Sequence, residues 1–250
     1  MYGGEISENV SEQDGAGVRV FHGTFNMYGG AITNNKAGLR GGAIDLTAST
    51  RASTVNIYGG TISGNTAEAL GGGIWASGNL CYVNIGGTPE DTSISCEKAI
   101  LTGNTARGKI DDAAYGGGAI YAGAGAISGN HSSRGGGIYL FANTAAAATF
   151  TMTSGKIINN SCDMHGGGIY SYTKDLTTLP VSMTITTADG DVEISGNTAG
   201  QNGGGIIVNQ RETLTITGTS SRRVKIANNK AVYGGGLLAE NGLELNFSYI

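Results

Sequence analysis

The stretch Val55-Asn56-Ile57-Tyr58-Gly59-Gly60-Thr61-Ile62-Ser63-Gly64-Asn65-Thr66-Ala67, followed by Gly71-Gly72-Gly73-Ile74, decides the fold. Val55 and Ile57 flank a polar residue, the alternation of a half-buried strand. A glycine pair then breaks the chain. Ile62 stands three residues before Asn65, and a small residue, Ala67, follows two places later. A glycine triplet precedes the next apolar residue. Each fragment alone is weak evidence, and their recurrence along the chain is what counts.

Working outward, the Ile-x-x-Asn landmark returns as Ile6/Asn9, Ile32/Asn35, Leu101/Asn104, Ile127/Asn130, Ile157/Asn160, Ile194/Asn197 and Ile226/Asn229. Glycine clusters stand before Val18, Ile44, Ile74, Ile120, Ile138, Ile169, Ile206 and Leu237. The alternating strand recurs at Phe25/Met27, Val83/Ile85, Phe150/Met152, Met183/Ile185, Leu214/Ile216 and Leu243/Leu245. Successive landmark asparagines lie 26, 30, 39, 26, 30, 37 and 32 residues apart. That spread excludes a helical repeat of fixed length and suits short strands joined by turns of varying length. The expectation is an all-β, right-handed, single-stranded parallel β-helix (a β-solenoid) with about eight coils and three short strands per coil. Residues 1–250 read as one β-helix domain cut from a longer repeat protein, because both ends fall inside a repeat.

In such a coil Ile, Leu, Val and Phe point inward, each contributing roughly 1.5–3 kcal/mol by burial. Asn at the same corner of every coil can bond to Asn in the neighbouring coils and also tolerates the left-handed backbone. Asn9, Asn35, Asn65, Asn104, Asn130, Asn160, Asn197 and Asn229 are therefore expected to form a structural ladder.

Composition limits the function classes. Glycine supplies 45 of the 250 residues, proline only 2, and charged residues 14 %. Such a chain is too apolar and too weakly charged to be disordered. A net charge of −4 gives no global electrostatic case for nucleic acid. With no run of about 18 apolar residues, insertion of this segment into a membrane is not expected. Cys81 and Cys96 are either a disulfide or two buried thiols, and Cys162 replaces the usual small core residue.

Gly29-Gly30-Ala31-Ile32 and Gly41-Gly42-Ala43-Ile44 resemble the GGAI motif of polymorphic outer membrane protein repeats. The wider pattern is similar to right-handed β-helix repeats of large adhesin-like bacterial surface proteins. Where that outer-membrane family has Phe-x-x-Asn, this chain has mostly Ile-x-x-Asn. The resemblance implies an extracellular or cell-surface location and an adhesin or stalk role. It carries over no catalytic residue.

A carbohydrate-active β-helix enzyme (polysaccharide lyase or glycoside hydrolase) is the alternative, but paired acids at equivalent outward positions are missing. Asp45 is the one acid after a glycine-cluster landmark, Asp111-Asp112 falls in a connecting segment, and Arg223-Val224-Lys225 lacks the partners such enzymes place beside it. His22, His131 and His165 read as solvated loop residues, and neither a metal site nor a cofactor is expected. The residue after each inward apolar one should face out, giving Asp45, Trp75, Tyr121, Tyr139, Tyr170, Ile207 and Leu238. Trp75, Tyr121, Tyr139 and Tyr170 then form an aromatic stripe, which either stabilises the sheet by cross-strand contact, or is covered by long loops such as 171–182, or is a candidate platform for a glycan or a host surface protein. A minor alternative is ice binding through the rows Thr151/Thr153, Thr184/Thr186 and Thr215/Thr217. Unpaired strand edges at the ends predict end-to-end self-association of the segment.

Overall fold

A computed structural model describes the chain apart from residues 49, 78–79, 87–88, 90–92, 94–95, 97, 108–118, 123–124, 143–147, 174–180, 210–211, 241–244 and 249–250. Among the described residues all pairing between strands is parallel, each strand lying beside its equivalent one circuit on, with a register shift between Ser132 and Arg134 where that strand meets Ser161–His165. The chain therefore winds as a β-solenoid, as the repeat requires. Coil 2 illustrates the circuit, with strands Ala31–Thr33, Lys36–Ala37, Ile44–Thr47 and Ser53–Ile57 on faces one to four.

Four strands per circuit replace the expected three. The landmark Asn turns a corner, and beyond it lies a separate two-residue strand such as Thr66–Ala67. Faces one and four each carry eight strands and face two carries seven. Face three is divided into a three-stranded and a four-stranded sheet, so six circuits have a strand on every face, fewer than the eight coils expected. Among the described residues coil 4 shows no face-three strand and coil 8 no face-two strand.

Apolar columns run up the inside. On face one Ile6, Ile32, Ile62, Leu101, Ile127, Ile157, Ile194 and Ile226 stack in unbroken register. Ile32, Ile62, Ile157 and Ile194 are fully buried. Face four contributes Phe25, Val55, Val83, Phe150, Met183 and Leu214, with Ile120 and Leu245 at the equivalent backbone positions. The last strand pairs Leu245 with Leu214 and Phe247 with Ile216, while Leu243 lies outside the described residues.

The asparagine ladder is continuous. Each landmark Asn donates its backbone N–H and its Nδ2 to Oδ1 of the next, as Asn65 does to Asn104 at 3.1 and 2.9 Å. The second Nδ2 proton goes to a carbonyl of the coil below, Ile32 in this case, at 2.9 Å. The amide thus saturates a corner where strand pairing stops. The left-handed residue is the one before the landmark: Glu8, Asn34, Gly64, Gly103, Gly129, Asn159, Gly196 and Asn228 all have positive φ. Of the two properties expected of the ladder Asn it uses the amide, while the left-handed backbone falls to the residue before it.

Candidate functional site

Face three concentrates the outward residues singled out above. Its first sheet aligns Arg19, Asp45 and Trp75 side by side, and its second aligns Tyr139, Tyr170, Ile207 and Leu238. Glycines in the left-handed conformation, Gly41, Gly71, Gly135, Gly166, Gly203 and Gly234, bend the chain just before this face. The bend makes an inside corner in which the residue preceding the glycine faces the column. Arg40 lies over the Trp75 ring at 5.7 Å and His165 stands 5.8 Å from the Tyr170 ring.

Tyr121 does not belong to this column. The strand Ala119–Ala122 lies on face four, where Tyr121 is paired with Asn84 and Thr151. The glycine cluster before Ile120 suggested face three. Spacing explains the difference: Ile120 precedes Ile127 by seven residues, as Phe25 precedes Ile32, Val55 precedes Ile62 and Phe150 precedes Ile157. That length of chain turns the corner from face four to face one. Face three is left open between Trp75 and Tyr139 among the described residues. A cavity of about 470 Å³ lies there, lined in part by Trp75, Leu101, Asn130, Arg134, Tyr139 and Tyr170. Asp111 and Asp112 lie outside the described residues.

The column is also less exposed than an open stripe would be. Tyr170 is 6 %, Ile207 1 % and Asp45 1 % exposed, while Trp75 and Tyr139 are half-buried. The ring faces are largely taken by neighbours: Tyr139 stacks on Tyr170 at 5.1 Å, and Tyr170 on Tyr172 at 6.3 Å. Burial pushes the Tyr170 hydroxyl up to about 12. Beyond it, the Glu212 carboxylate accepts bonds from the Ser171 hydroxyl, from Thr173 at 3.0 Å and from the Asn209 N–H at 2.8 Å. Burial nevertheless raises its pKa.

Asp45 is held by Arg19 Nε at 3.3 Å and by the Thr47 hydroxyl at 3.2 Å, both on Oδ2. Its Oδ1 and the Oδ1 of Asp14 are buried without a partner. Burial, reinforced by the nearby Asp14 charge, raises Asp45 to about 6. Among the described residues Asp45 is the only acid of the column, and it is buried.

A second aromatic column stands outside the expected stripe. Tyr2 stacks on Tyr28 at 4.7 Å and Tyr28 on Tyr58 at 5.1 Å, with planes within 17° and 11°. Tyr2 is 70 % exposed, and Tyr28 and Tyr58 are partly exposed. The signal was present in the repeated Tyr-Gly-Gly at residues 2–4, 28–30 and 58–60. Beside it runs an amide row, Asn84 to Asn56 at 2.6 Å and Asn56 to Asn26 at 2.8 Å. The threonine rows lie further along the same face, with Thr151, Thr184 and Thr215 in register and Thr153 buried.

The histidines are not loop residues throughout. His131 and His165 sit on face-two strands, and His131 Nδ1 is 2.9 Å from the Ser161 hydroxyl, whereas His22 occupies a left-handed turn. Cys81, Cys96 and Cys162 are all free thiols. Among the described residues no three of His, Cys, Asp and Glu gather to hold a metal ion.

No curated protein and no solved structure matches this chain. The family model of the Chlamydia polymorphic membrane protein (Chlamydia_PMP) repeat matches residues 98–123, which hold Leu101-x-x-Asn104 and Gly117-Gly118-Ala119-Ile120. In motif and in parallel solenoid fold, this chain is similar to the polymorphic membrane protein repeat.

Proposed function

We propose that this chain is a non-catalytic β-helix segment displayed at the cell surface, acting as an adhesin or stalk that meets a glycan or a host surface protein. Similarity to a repeat of proteins named for a membrane supports the location. The observation that carries the binding role is the exposed tyrosine column Tyr2–Tyr28–Tyr58 beside an amide row. Its rings are stacked on one another, so they offer edges and hydroxyls to a partner rather than free faces. Such a surface suits hydrogen-bonding partners more than ring-on-ring stacking. Extended contiguous surface of this kind often marks an interaction site.

The enzyme reading has less support. Among the described residues Asp45 is the column's sole carboxylate, and it is buried against Arg19, out of a substrate's reach. Screening the purified chain against a glycan array and a panel of surface proteins tests the binding role. A ligand whose binding falls at least tenfold in Tyr28→Ala/Tyr58→Ala supports it. Clean negatives on both screens leave only the stalk, and cleavage of any polysaccharide in the same panel overturns the non-catalytic assignment.

A further inference from the structure

Face four differs from the other three in what it shows the solvent. Its outward column reads Asn26, Asn56, Asn84, Thr151, Thr184 and Thr215 in register, with Tyr121 at the level between Asn84 and Thr151. All six side chains are partly exposed. The flanking outward positions continue the pattern, with Thr54 and Tyr58 beside Asn56, and Ser182 and Thr186 beside Thr184. Among the described residues the face-four strands present hydroxyls, amides and phenols outward and no charged side chain. Charge lies on the other faces: Lys156, Glu193 and Lys225 on face one, Lys36 near Glu68 beside face two, and Arg19 on face three.

The amide row has bonding capacity to spare. Asn84 gives one Nδ2 proton to Asn56 and Asn56 gives one to Asn26, each bond taking one acceptor site of the receiving carbonyl. A side-chain amide has two protons and two acceptor sites. Among the described residues Asn56 therefore keeps one donor and one acceptor for a ligand, and the partly exposed Tyr58 stands two residues further on. Equivalent groups recur once per coil, about 4.8 Å apart along the axis. An extended peptide repeats its same-face side chains about every 6.6–6.8 Å and falls out of step within two coils. A nearly straight β-(1→4)-linked sugar chain advances by about one coil rise per sugar and turns hydroxyls to both sides, so it stays in step. Sulfated and uronic-acid chains would find no counter-charge on this face, whereas neutral hydroxyls need none.

We propose that face four binds a neutral, linear, β-(1→4)-linked polysaccharide laid along the solenoid axis, one sugar to each coil, across the amide row and the Tyr28–Tyr58 column. The proposal rests on the binding role given to that column above and names its ligand.

Calorimetric titration of the 250-residue chain with cellohexaose, xylohexaose and mannohexaose tests it, with maltohexaose and cellobiose as comparisons. Maltohexaose has the same sugars as cellohexaose in an α-linked, curved chain. At least one β-linked hexaose should bind ten times more tightly than either comparison. Tyr58→Phe removes one hydroxyl, leaves the ring stack, and should weaken that binding about threefold. Asn56→Leu/Asn84→Leu should weaken it at least tenfold, circular dichroism confirming that each variant is folded. Failure of every β-linked hexaose to bind overturns the proposal, as does equal binding of maltohexaose or binding untouched by both variants. A protein or an acidic glycan that binds through Tyr28 and Tyr58 in place of these sugars overturns the ligand named here and leaves the column's binding role standing.

Discussion

Asn160 donates both its backbone N–H and its Nδ2 to the single Oδ1 of Asn197, each at 3.0 Å, and gives its remaining amide proton to the Ile127 carbonyl. Its own Oδ1 receives the same pair of bonds from Asn130. One side chain, 1 % exposed, thus completes the hydrogen bonding of three coils. Asn160→Ala keeps the backbone N–H bond to Asn197 but removes the side-chain bonds and strands the Asn130 donors in a dry corner. A net bond is worth about 1 kcal/mol and an unsatisfied buried group costs about 1–3 kcal/mol. The expected loss is about 4 kcal/mol by chemical denaturation. Asn229→Ala, which removes the bonds accepted from Asn197 and the one given to the Ile194 carbonyl, should cost about 2 kcal/mol.

Two glycines should respond oppositely to the same change. A Cβ on Gly167 would lie 2.6 Å from the Gly204 carbonyl oxygen and 2.6 Å from a Thr198 backbone carbon, neither of which can move alone. Gly167→Ala should cost about 3 kcal/mol or more. Gly23 has nothing within 4 Å of a built Cβ and no left-handed φ. Gly23→Ala should be neutral or stabilise by up to about 1 kcal/mol, by restricting the unfolded chain. Thermal melts of the two variants check both signs.

The pH dependence follows from two carboxylates of opposite behaviour. Asp45 keeps its proton up to about 6 in the fold, because burial and Asp14 disfavour the charge, whereas the unfolded chain loses it near the ordinary value of 3.8. Its contribution to stability is therefore greatest at low pH and is lost as pH rises through about 4 to 6. Glu193, held at about 2 chiefly by hydrogen bonds from Lys225 and Lys156, contributes above the usual carboxylate range and loses that contribution as pH falls toward 2. Asp45→Asn should flatten the upper slope and gain about 2 kcal/mol at pH 7. Urea titrations of both proteins between pH 3 and 8 measure this. A wild-type stability that climbs from pH 4 to 6 and is unaltered by Asp45→Asn would contradict the assignment.

Cysteine reactivity reports the packing at two corners. Cys81 and Cys162 are buried, and burial pushes the Cys162 thiol up to about 11, whereas Cys96 is partly exposed. A thiol reagent at pH 8 should titrate one group rapidly in the folded protein and three after denaturation. Rapid reaction of two or three in the fold would place Cys81 or Cys162 at the surface.

The fold was legible because its landmarks are spaced by geometry. Ile-x-x-Asn marks a corner, and the fall of Ile62, Leu101 and Ile127 into one column follows from that pattern alone. Tyr121 was misplaced because glycine clusters were read as a fixed label for face three, although a cluster only permits a bend. The seven-residue step from Ile120 to Ile127 carried the better information. The burial of Asp45 and Tyr170 was not legible, because outward on a strand means solvent only where the surface is convex. Here left-handed glycines fold the preceding residue back over the column. The Tyr2–Tyr28–Tyr58 stack was legible in retrospect, since Tyr-Gly-Gly recurs in phase.

Stacking of like over like is tested most directly by a distance between two outward positions on face one. Thr33 and Ser195 belong to coils 2 and 7, five strand spacings apart. Spin labels at Thr33→Cys and Ser195→Cys, in a chain whose other cysteines are replaced by serine or alanine, should give one narrow pulsed-electron-resonance distance near 24 Å, five times about 4.8 Å. A broad distribution, or a principal distance beyond about 35 Å, would mean that these residues do not share a column, and the solenoid would be wrong.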